Sequence, residues 1–378
     1  MKRKKKIFLF ILNICIALFS FSQKVKIQTI DKNATRETKA LNANLKKLSE
    51  KYILFGHQHA TQYGHGWIGD ENRSDVKSVT GSHPAVIGVD FSSLYGPSES
   101  EIEKEKTSLI KYISETYDRG GVITAAWHFN NPVSNTSFYW NDSTAIAAVN
   151  NIIPGGTHHQ KYKSILKNIA DVAKATKGND GKIVPIIFRP FHELDGDWFW
   201  WGAGHCSIDE FKTLWQFTVT YLKDSLHVHN FIYAFSPDNK FFTEEKYLER
   251  YPGNDFVDLV GVDNYGDFGR GGHYDLDAGY KKLKIVSDFA LKNGKLAAFT
   301  ETGLESIPDS TWWTNKLLKT LLRSDLKLCY VLVWRNDSKS PTHFYAPFPG
   351  QKSEKDFIDF YNSPNTIFEN DLKNIYKK

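Results

Sequence analysis

The chain has 378 residues, of which 24% are charged and 14% are aromatic, and its formal net charge is +5. Because residues 1–22 contain five basic and no acidic side chains, the rest of the chain is formally neutral. The basic balance therefore does not indicate a nucleic-acid partner. The aromatic content excludes a disordered chain, and the length suits one large α/β barrel.

The N-terminus has the three parts of a secretory signal peptide. Residues 2–6 are all Lys or Arg, residues 7–19 are apolar except for one Asn, and residues 20–22 place small side chains where a signal peptidase cuts. The apolar run is too short to span a membrane. We therefore expect residues 1–22 to be removed as a signal peptide and the protein to be exported, either secreted or periplasmic.

Residues 23–378 are predicted to form one exported catalytic domain without a membrane span. A lipoprotein signal at Cys15 is the less favoured alternative because the bulky Ile14 precedes it. The two remaining cysteines, Cys206 and Cys329, are too few for a disulfide framework. We expect them to be buried free thiols and the protein to be a monomer.

Apolar strand candidates alternate with amphipathic helices along the chain. The predicted strands are residues 52–55, 85–91, 121–127, 183–189, 231–235, 259–262, 296–299 and 329–333. The predicted helices are residues 34–51, 98–117, 160–177, 275–292 and 314–323, with another opened by a capping box at Ser207 and Glu210. This alternation predicts an α/β fold, a single-domain (β/α)8 TIM barrel. Pro185 weakens the first half of the fourth strand.

Polar and aromatic side chains collect at the carboxyl ends of the predicted strands, where barrel active sites lie. These strand-end residues are His57, Asp90, His128, Glu193, Asp238, Asp263, Glu301 and Trp334. Three long loops, residues 61–84, 130–159 and 268–274, are expected to wall the cleft. Asp90 and Asp238 fit a structural cap as well as a functional role.

Two of these carboxylates carry the chemical hypothesis. Glu193 lies between a buried strand and the aromatic run at residues 198–201, which suits chemistry on sugar rings, and Glu301 would face it across the barrel mouth. We expect Glu193 to act as general acid/base and Glu301 as nucleophile in glycoside cleavage. Arg189 and Tyr265 are expected to keep Glu301 ionised. A hydrated ion pair with the tryptophans as core is the alternative for this segment.

Six motifs in order resemble those of glycoside hydrolase family 26, the β-mannanases. They are A-W-H-F-N-N-P, F-R-P-F-H-E, W-F-W-W-G, G-V-D-N-Y, T-E-T-G and V-W-R-N. The resemblance implies a retaining double-displacement hydrolase and gives Glu193 and Glu301 the same roles. It also implies that six residues line the subsite of the cleaved sugar: His128, Arg189, His192, Asp263, Tyr265 and Trp334. Trp198 would stack on the leaving-group side, and Arg335 would reach the neighbouring sugar on the non-reducing side.

Several alternatives stay open at this point. The family implies β-1,4-linked mannan, glucomannan or galactomannan as the polysaccharide partner, but includes β-glucan and β-1,3-xylan hydrolases. A non-catalytic carbohydrate-binding barrel is a rival of another kind. His57 and His59 imitate the metal pair of amidohydrolases, yet the other ligands are missing, so we expect no metal and no cofactor. Both histidines are expected to hydrogen-bond within the rim, and Trp312 and Trp313 to pack in the core.

Overall fold

The computed structural model describes residues 28–96 and 98–377. The predicted signal peptide lies outside these residues.

Eight parallel strands form a closed barrel. They are β1 (Ile53–Gln58), β2 (Val86–Asp90), β3 (Val122–Trp127), β4 (Ile186–Pro190), β5 (Phe231–Phe235), β6 (Leu259–Asp263), β7 (Leu296–Thr302) and β8 (Tyr330–Val333). Each strand pairs with its neighbour in the chain, and β8 pairs with β1 to close the barrel. The single-domain (β/α)8 prediction is confirmed.

Helices cover the outside of the barrel. They are α1 (Arg36–Leu48), α2 (Asp75–Thr80), α3 (Glu99–Arg119), α4 (Val149–Ile152), α5 (His159–Ala175), α6 (Ile208–Thr220), α7 (Glu244–Tyr247), α8 (Leu276–Asn293), α9 (Lys319–Leu321) and α10 (Glu354–Tyr361). Two π-helical turns, Tyr221–Ser225 and Trp313–Leu318, interrupt this pattern. The regular helix predicted at residues 314–323 is therefore wrong in detail, because its first half belongs to the second π-helical turn.

Local sequence signals explain where the elements begin and end. The Ser207 hydroxyl accepts a hydrogen bond from the backbone N–H of Glu210 at 3.2 Å, and the Glu210 carboxylate accepts one from the N–H of Ser207 at 2.8 Å. The predicted capping box is thus confirmed. The fourth strand begins at Ile186 rather than at Ile183, because Pro185 cannot donate to the ladder.

A C-terminal extension was not predicted. A ninth strand, β9 (Thr366–Ile367), pairs in parallel with the first two residues of β1. The Phe55 ring of β1 packs against Phe357 and Phe360 of α10 and against Phe368, with centroids 5.0–5.5 Å apart. α10 and β9 are too short to show a clear helical or strand period, so the sequence did not predict them.

Trp312 and Trp313 are fully buried, which confirms their expected packing role. Cys206 and Cys329 are free thiols, as expected, but only Cys329 is fully buried. In the described part of the chain, no helix has the length and apolar character needed to cross a membrane.

Candidate active site

The backbone turns sharply after β4 and lifts the Glu193 side chain into the barrel mouth. Phe191 and Glu193 both adopt the left-handed conformation, with φ of 51° and 53°. The N–H of Glu193 donates to the carbonyl of Ser236, after β5, at 2.9 Å. Non-glycine residues in this region cost about 1–2 kcal/mol each, so the fold holds Glu193 against a local preference.

Glu193 is half-buried, and its surroundings favour the protonated acid. Burial raises the pKa of Glu193 well above its usual value, and the negative charges of Glu301 and Asp263 raise it further. The Trp198 indole opposes them by donating a hydrogen bond of 2.6 Å to the Glu193 carboxylate. A carboxyl group of this kind can donate a proton near neutral pH.

Glu301, on β7, lies in the opposite environment. Its carboxylate accepts one hydrogen bond from the Arg189 guanidinium and another, at 2.8 Å, from the Tyr265 hydroxyl. Asp263 holds the other side of the guanidinium at 2.6 Å. Burial alone would lower the pKa of Arg189, but the charges of Asp263 and Glu301 raise it. A permanent cation therefore stands beside Glu301.

A row of polar side chains crosses from β2 to β4. The Asp90 carboxylate contacts Nδ1 of His128 at 2.6 Å, and Nε2 of His128 contacts Nε2 of His192 at 2.9 Å. Burial lowers the pKa of His192 well below its usual value, helped by the charge of Arg189, so this ring is neutral. Asp90 also accepts from the N–H of Ser92 at 2.8 Å, and it therefore combines a capping and a positioning contact.

A cavity of about 320 Å³ joins these groups at the barrel mouth. It is lined by His128, Tyr139, Glu193, Trp198, Phe199, Tyr265, Arg270, Glu301, Trp334, His343 and Tyr345. The structure thus brings six of the ten predicted site residues to one cavity. Arg189, His192 and Asp263 lie behind its wall and contact residues that line it.

Arg335 does not line this cavity. Its guanidinium pairs with Asp337 at 2.7 Å and lies 6.0 Å from the centroid of the Tyr63 ring. Arg335 follows Trp334 in the chain, and its side chain lies near the loop of residues 61–84, which contains Tyr63. Asp238 also lies outside the cavity lining, where burial and the nearby charge of Asp195 raise its pKa to about 7.

Four lining residues were not singled out from the sequence: Tyr139, Arg270, His343 and Tyr345; the fifth, Phe199, belongs to the predicted aromatic run. Tyr139 and Arg270 belong to two of the loops predicted as cleft walls, which confirms that expectation for these two loops. The loop of residues 61–84 contributes nothing to this cavity. His343 and Tyr345 follow β8 in a segment without periodicity, where only the aromatic cluster at residues 343–348 was a signal.

The histidines at the end of β1 play no visible part in this cavity. His59 contacts the side chain of Gln62, as expected of a rim residue. The expected rim hydrogen bond is wrong for His57: neither ring nitrogen has a partner among the described residues, because the nearby Asn336 amide donates to Asp75 and Ala346 instead. Burial lowers the pKa of His57 to about 4 despite the opposing charge of Asp75. Within residues 28–96 and 98–377, no three His, Cys, Asp or Glu side chains are grouped closely enough to hold a metal ion.

The sequence model of glycosyl hydrolase family 26 matches residues 30–320, more than three quarters of the chain. This chain belongs to glycosyl hydrolase family 26. Family 26 structures similar to it include GH26C from Muricauda sp. MAR_2010_75, with 40% identity, a TM-score of 0.86 and coverage of 92% of this chain and 96% of that one. The β-mannanase BoMan26A from Bacteroides ovatus shows 41% identity, a TM-score of 0.84 and coverage of 91% and 98%.

Another relative is larger than this chain. The mannan endo-1,4-beta-mannosidase of Bifidobacterium adolescentis is 34% identical over 92% of this chain, and this chain spans 36% of its length.

Proposed function

We propose that this chain is a retaining mannan endo-1,4-β-mannosidase. The observation that carries the proposal is the contrast between two carboxylates lining one cavity. Burial favours the protonated form of Glu193, whereas Arg189 and Tyr265 surround Glu301 with hydrogen-bond donors. Acid-assisted double displacement needs one protonated carboxyl group and one carboxylate held in place to attack the sugar. The names of the Bifidobacterium and Bacteroides relatives support mannan as the substrate.

The proposed reaction has two steps. Glu193 protonates the oxygen that leaves while the Glu301 carboxylate attacks the anomeric carbon, which forms a glycosyl ester on the enzyme. Glu193, now a carboxylate, takes a proton from water, and the water oxygen attacks the same carbon and releases Glu301. Both carboxyl groups return to their starting states, and the sugar keeps its configuration.

The remaining residues have supporting roles in this proposal. His128 binds a hydroxyl group of the cleaved sugar, and Asp90 and the neutral His192, which lies behind the cavity wall, fix the ring of His128. Trp334 and Trp198 offer aromatic faces on either side of the two carboxylates. Arg335 binds the next sugar on the non-reducing side, next to Tyr63.

The experiment is an assay of the purified protein on linear β-1,4-mannan, lichenan, laminarin and β-1,3-xylan, with sizing of the products. Endo-cleavage of mannan into a range of oligosaccharides is expected. If the protein cleaves another polymer in preference to mannan, it is a β-glucanase or a β-1,3-xylanase instead. If it cleaves none of them, a non-catalytic carbohydrate-binding barrel is favoured. NMR of the first products should show the β-anomer, and an initial α-anomer would overturn the retaining mechanism.

Variants of the two acids test their roles. Glu193→Ala and Glu301→Ala should each abolish release of reducing ends from mannan, whereas Glu115→Gln, an exposed carboxylate on α3, should not. Azide should restore turnover of an activated aryl mannoside in Glu193→Ala with retained configuration, because that leaving group needs no protonation. A fully active Glu301→Ala protein would refute the assignment.

We also propose export through the signal peptide at residues 1–22, on the strength of its basic, apolar and small-residue parts. Mass spectrometry of the protein recovered outside the cytoplasm should find Gln23 at the N-terminus. Recovery of the intact Lys- and Arg-rich segment would contradict this.

A further inference from the structure

A second cavity, which we call the side pocket, opens next to the catalytic cavity. Its volume is about 410 Å³, within the usual range for small-molecule sites. It is lined by residues 269–272 after β6, residues 303–306 and Pro308 after β7, and Thr342 after β8, together with Tyr265 and Tyr345. Three of the four residues at 269–272 are glycines, so most of this loop leaves the pocket open.

The side pocket and the catalytic cavity share one wall. The wall consists of Tyr265, Arg270 and Tyr345, which line both. The Arg270 guanidinium lies 4.3 Å from the centroid of the Tyr265 ring, and Tyr345 packs edge-on against the same ring at 5.8 Å. Because the Tyr265 hydroxyl donates to Glu301, a sugar attacked by Glu301 lies directly beside the entrance to the side pocket.

The barrel places the side pocket to one side of the proposed main-chain path. Trp198 follows β4 and Trp334 follows β8, and these strands lie half a turn apart in an eight-stranded barrel. A polysaccharide bound between these two indoles runs across the mouth. The side pocket lies over β6 and β7, between those ends. A group that enters it therefore branches away from the main chain.

The lining suits a neutral group rich in hydroxyls. Its two charged groups are of opposite sign: Arg270, and Glu305, whose carboxylate contacts Nδ1 of His343 at 2.7 Å. The backbone of the glycine-rich loop adds hydrogen-bonding groups, and the tyrosine rings offer surfaces for sugar C–H groups.

We infer that the side pocket binds a single neutral hexosyl branch on the backbone sugar attacked by Glu301. This inference rests on the proposed function and adds tolerance of a branched mannan to it. In a galactomannan, the wild-type protein then cleaves next to a substituted mannose and leaves the galactosyl group on the new reducing-end sugar.

The test compares linear β-1,4-mannan with galactomannan that carries single α-1,6-galactosyl groups. Thr342→Trp places an indole at the pocket, and Thr342→Ala keeps the pocket open at the same position. Lys339→Trp adds the same indole to the same loop outside the pocket. The measured quantities are the ratio of kcat/KM on galactomannan to that on linear mannan, and the fraction of products with a galactosylated reducing end.

Thr342→Trp is expected to lower the ratio by about tenfold or more, within the range that steric discrimination in a pocket provides, and to remove the galactosylated reducing ends. Thr342→Ala and Lys339→Trp should keep the wild-type ratio within about twofold. An unchanged ratio in Thr342→Trp, or wild-type products without galactosylated reducing ends, overturns this inference while cleavage of linear mannan upholds the proposed function. A wild type that leaves linear mannan intact overturns both.

Discussion

Trp198 donates a hydrogen bond of 2.6 Å from its indole Nε1 to the Oε2 of Glu193, five residues earlier in the chain. The same indole lines the catalytic cavity, and the Lys240 ammonium lies 4.7 Å from its ring centroid. One aromatic side chain therefore touches both the space for the sugar and the proposed proton donor. In the proposed mechanism, Trp198 therefore couples binding on the leaving-group side to proton transfer.

Trp198→Phe should move the alkaline limb of the kcat/KM profile to higher pH. Burial and the charge of Glu301 raise the pKa of Glu193, and the indole hydrogen bond is the contact that lowers it. Without this bond the acid stays protonated to a higher pH. Trp140→Phe, whose ring stacks on His205 outside the cavity, serves as control. An alkaline limb that stays in place in Trp198→Phe would show that the bond does not control the acid.

Asp238→Asn should move the same limb in the opposite direction. The negative charge of Asp238 contributes to the raised pKa of Glu193, so its removal lowers that pKa. Because the pKa of Asp238 itself is about 7, the variant and the wild type should agree at acidic pH and diverge above neutrality. Asp197→Asn, an exposed neighbour screened by water, should leave the profile unchanged. A shift upward in Asp238→Asn would contradict the electrostatic coupling.

Tyr265→Phe should lower kcat on linear mannan by about 10- to 100-fold with little change in KM. The variant loses one hydrogen bond to the Glu301 carboxylate, and bonds to charged groups contribute about 1.5–3 kcal/mol. The matched control is Tyr280→Phe on α8, which removes the hydrogen bond from the Tyr280 hydroxyl to the Asp325 carboxylate, outside the catalytic cavity. Thermal unfolding of both variants should separate lost chemistry from lost folding. A kcat equal to that of the wild type would remove Tyr265 from the mechanism.

Gly303→Ala should destabilise the protein more than Gly271→Ala. Both glycines have positive φ, 143° and 67°, but a Cβ at Gly303 would lie 2.5 Å from Cδ1 of Tyr345, whereas one at Gly271 meets open space. Overpacking costs about 1–3 kcal/mol, and a φ of 143° is also harder for alanine to adopt than one of 67°. Urea unfolding measures the difference, and equal losses would mean that Tyr345 moves aside freely.

The sequence predicted the barrel well because each strand is a short apolar run that ends in a polar or aromatic residue. That pattern repeats from His57 at the end of β1 to Trp334 at the end of β8, and the strand ends then fall on one face of a closed sheet. The bounds were less accurate: Pro185 delayed the start of the fourth strand, and the first strand runs on to Gln58, beyond its predicted end at Phe55.

The side-chain partners were harder to predict. The pairing of Arg189 with Glu301 follows from their strand-end positions, but the bond from Trp198 to Glu193 depends on the left-handed turn at Phe191 and Glu193. Nothing in local composition marks that turn. His343 and Tyr345 were missed for a related reason, since a long loop carries no periodicity from which to place its residues.

The left-handed turn at Glu193 has a consequence for the evolution and engineering of this protein. Glycine adopts this conformation without a steric penalty. Glu193→Gly would therefore relieve a backbone strain of about 1 kcal/mol and would also remove a poorly hydrated acid. The inactive Glu193→Gly variant should therefore have a higher Tm than the wild type. A screen for thermal stability alone would therefore favour inactive variants at position 193. Only a screen that also requires turnover would retain Glu193.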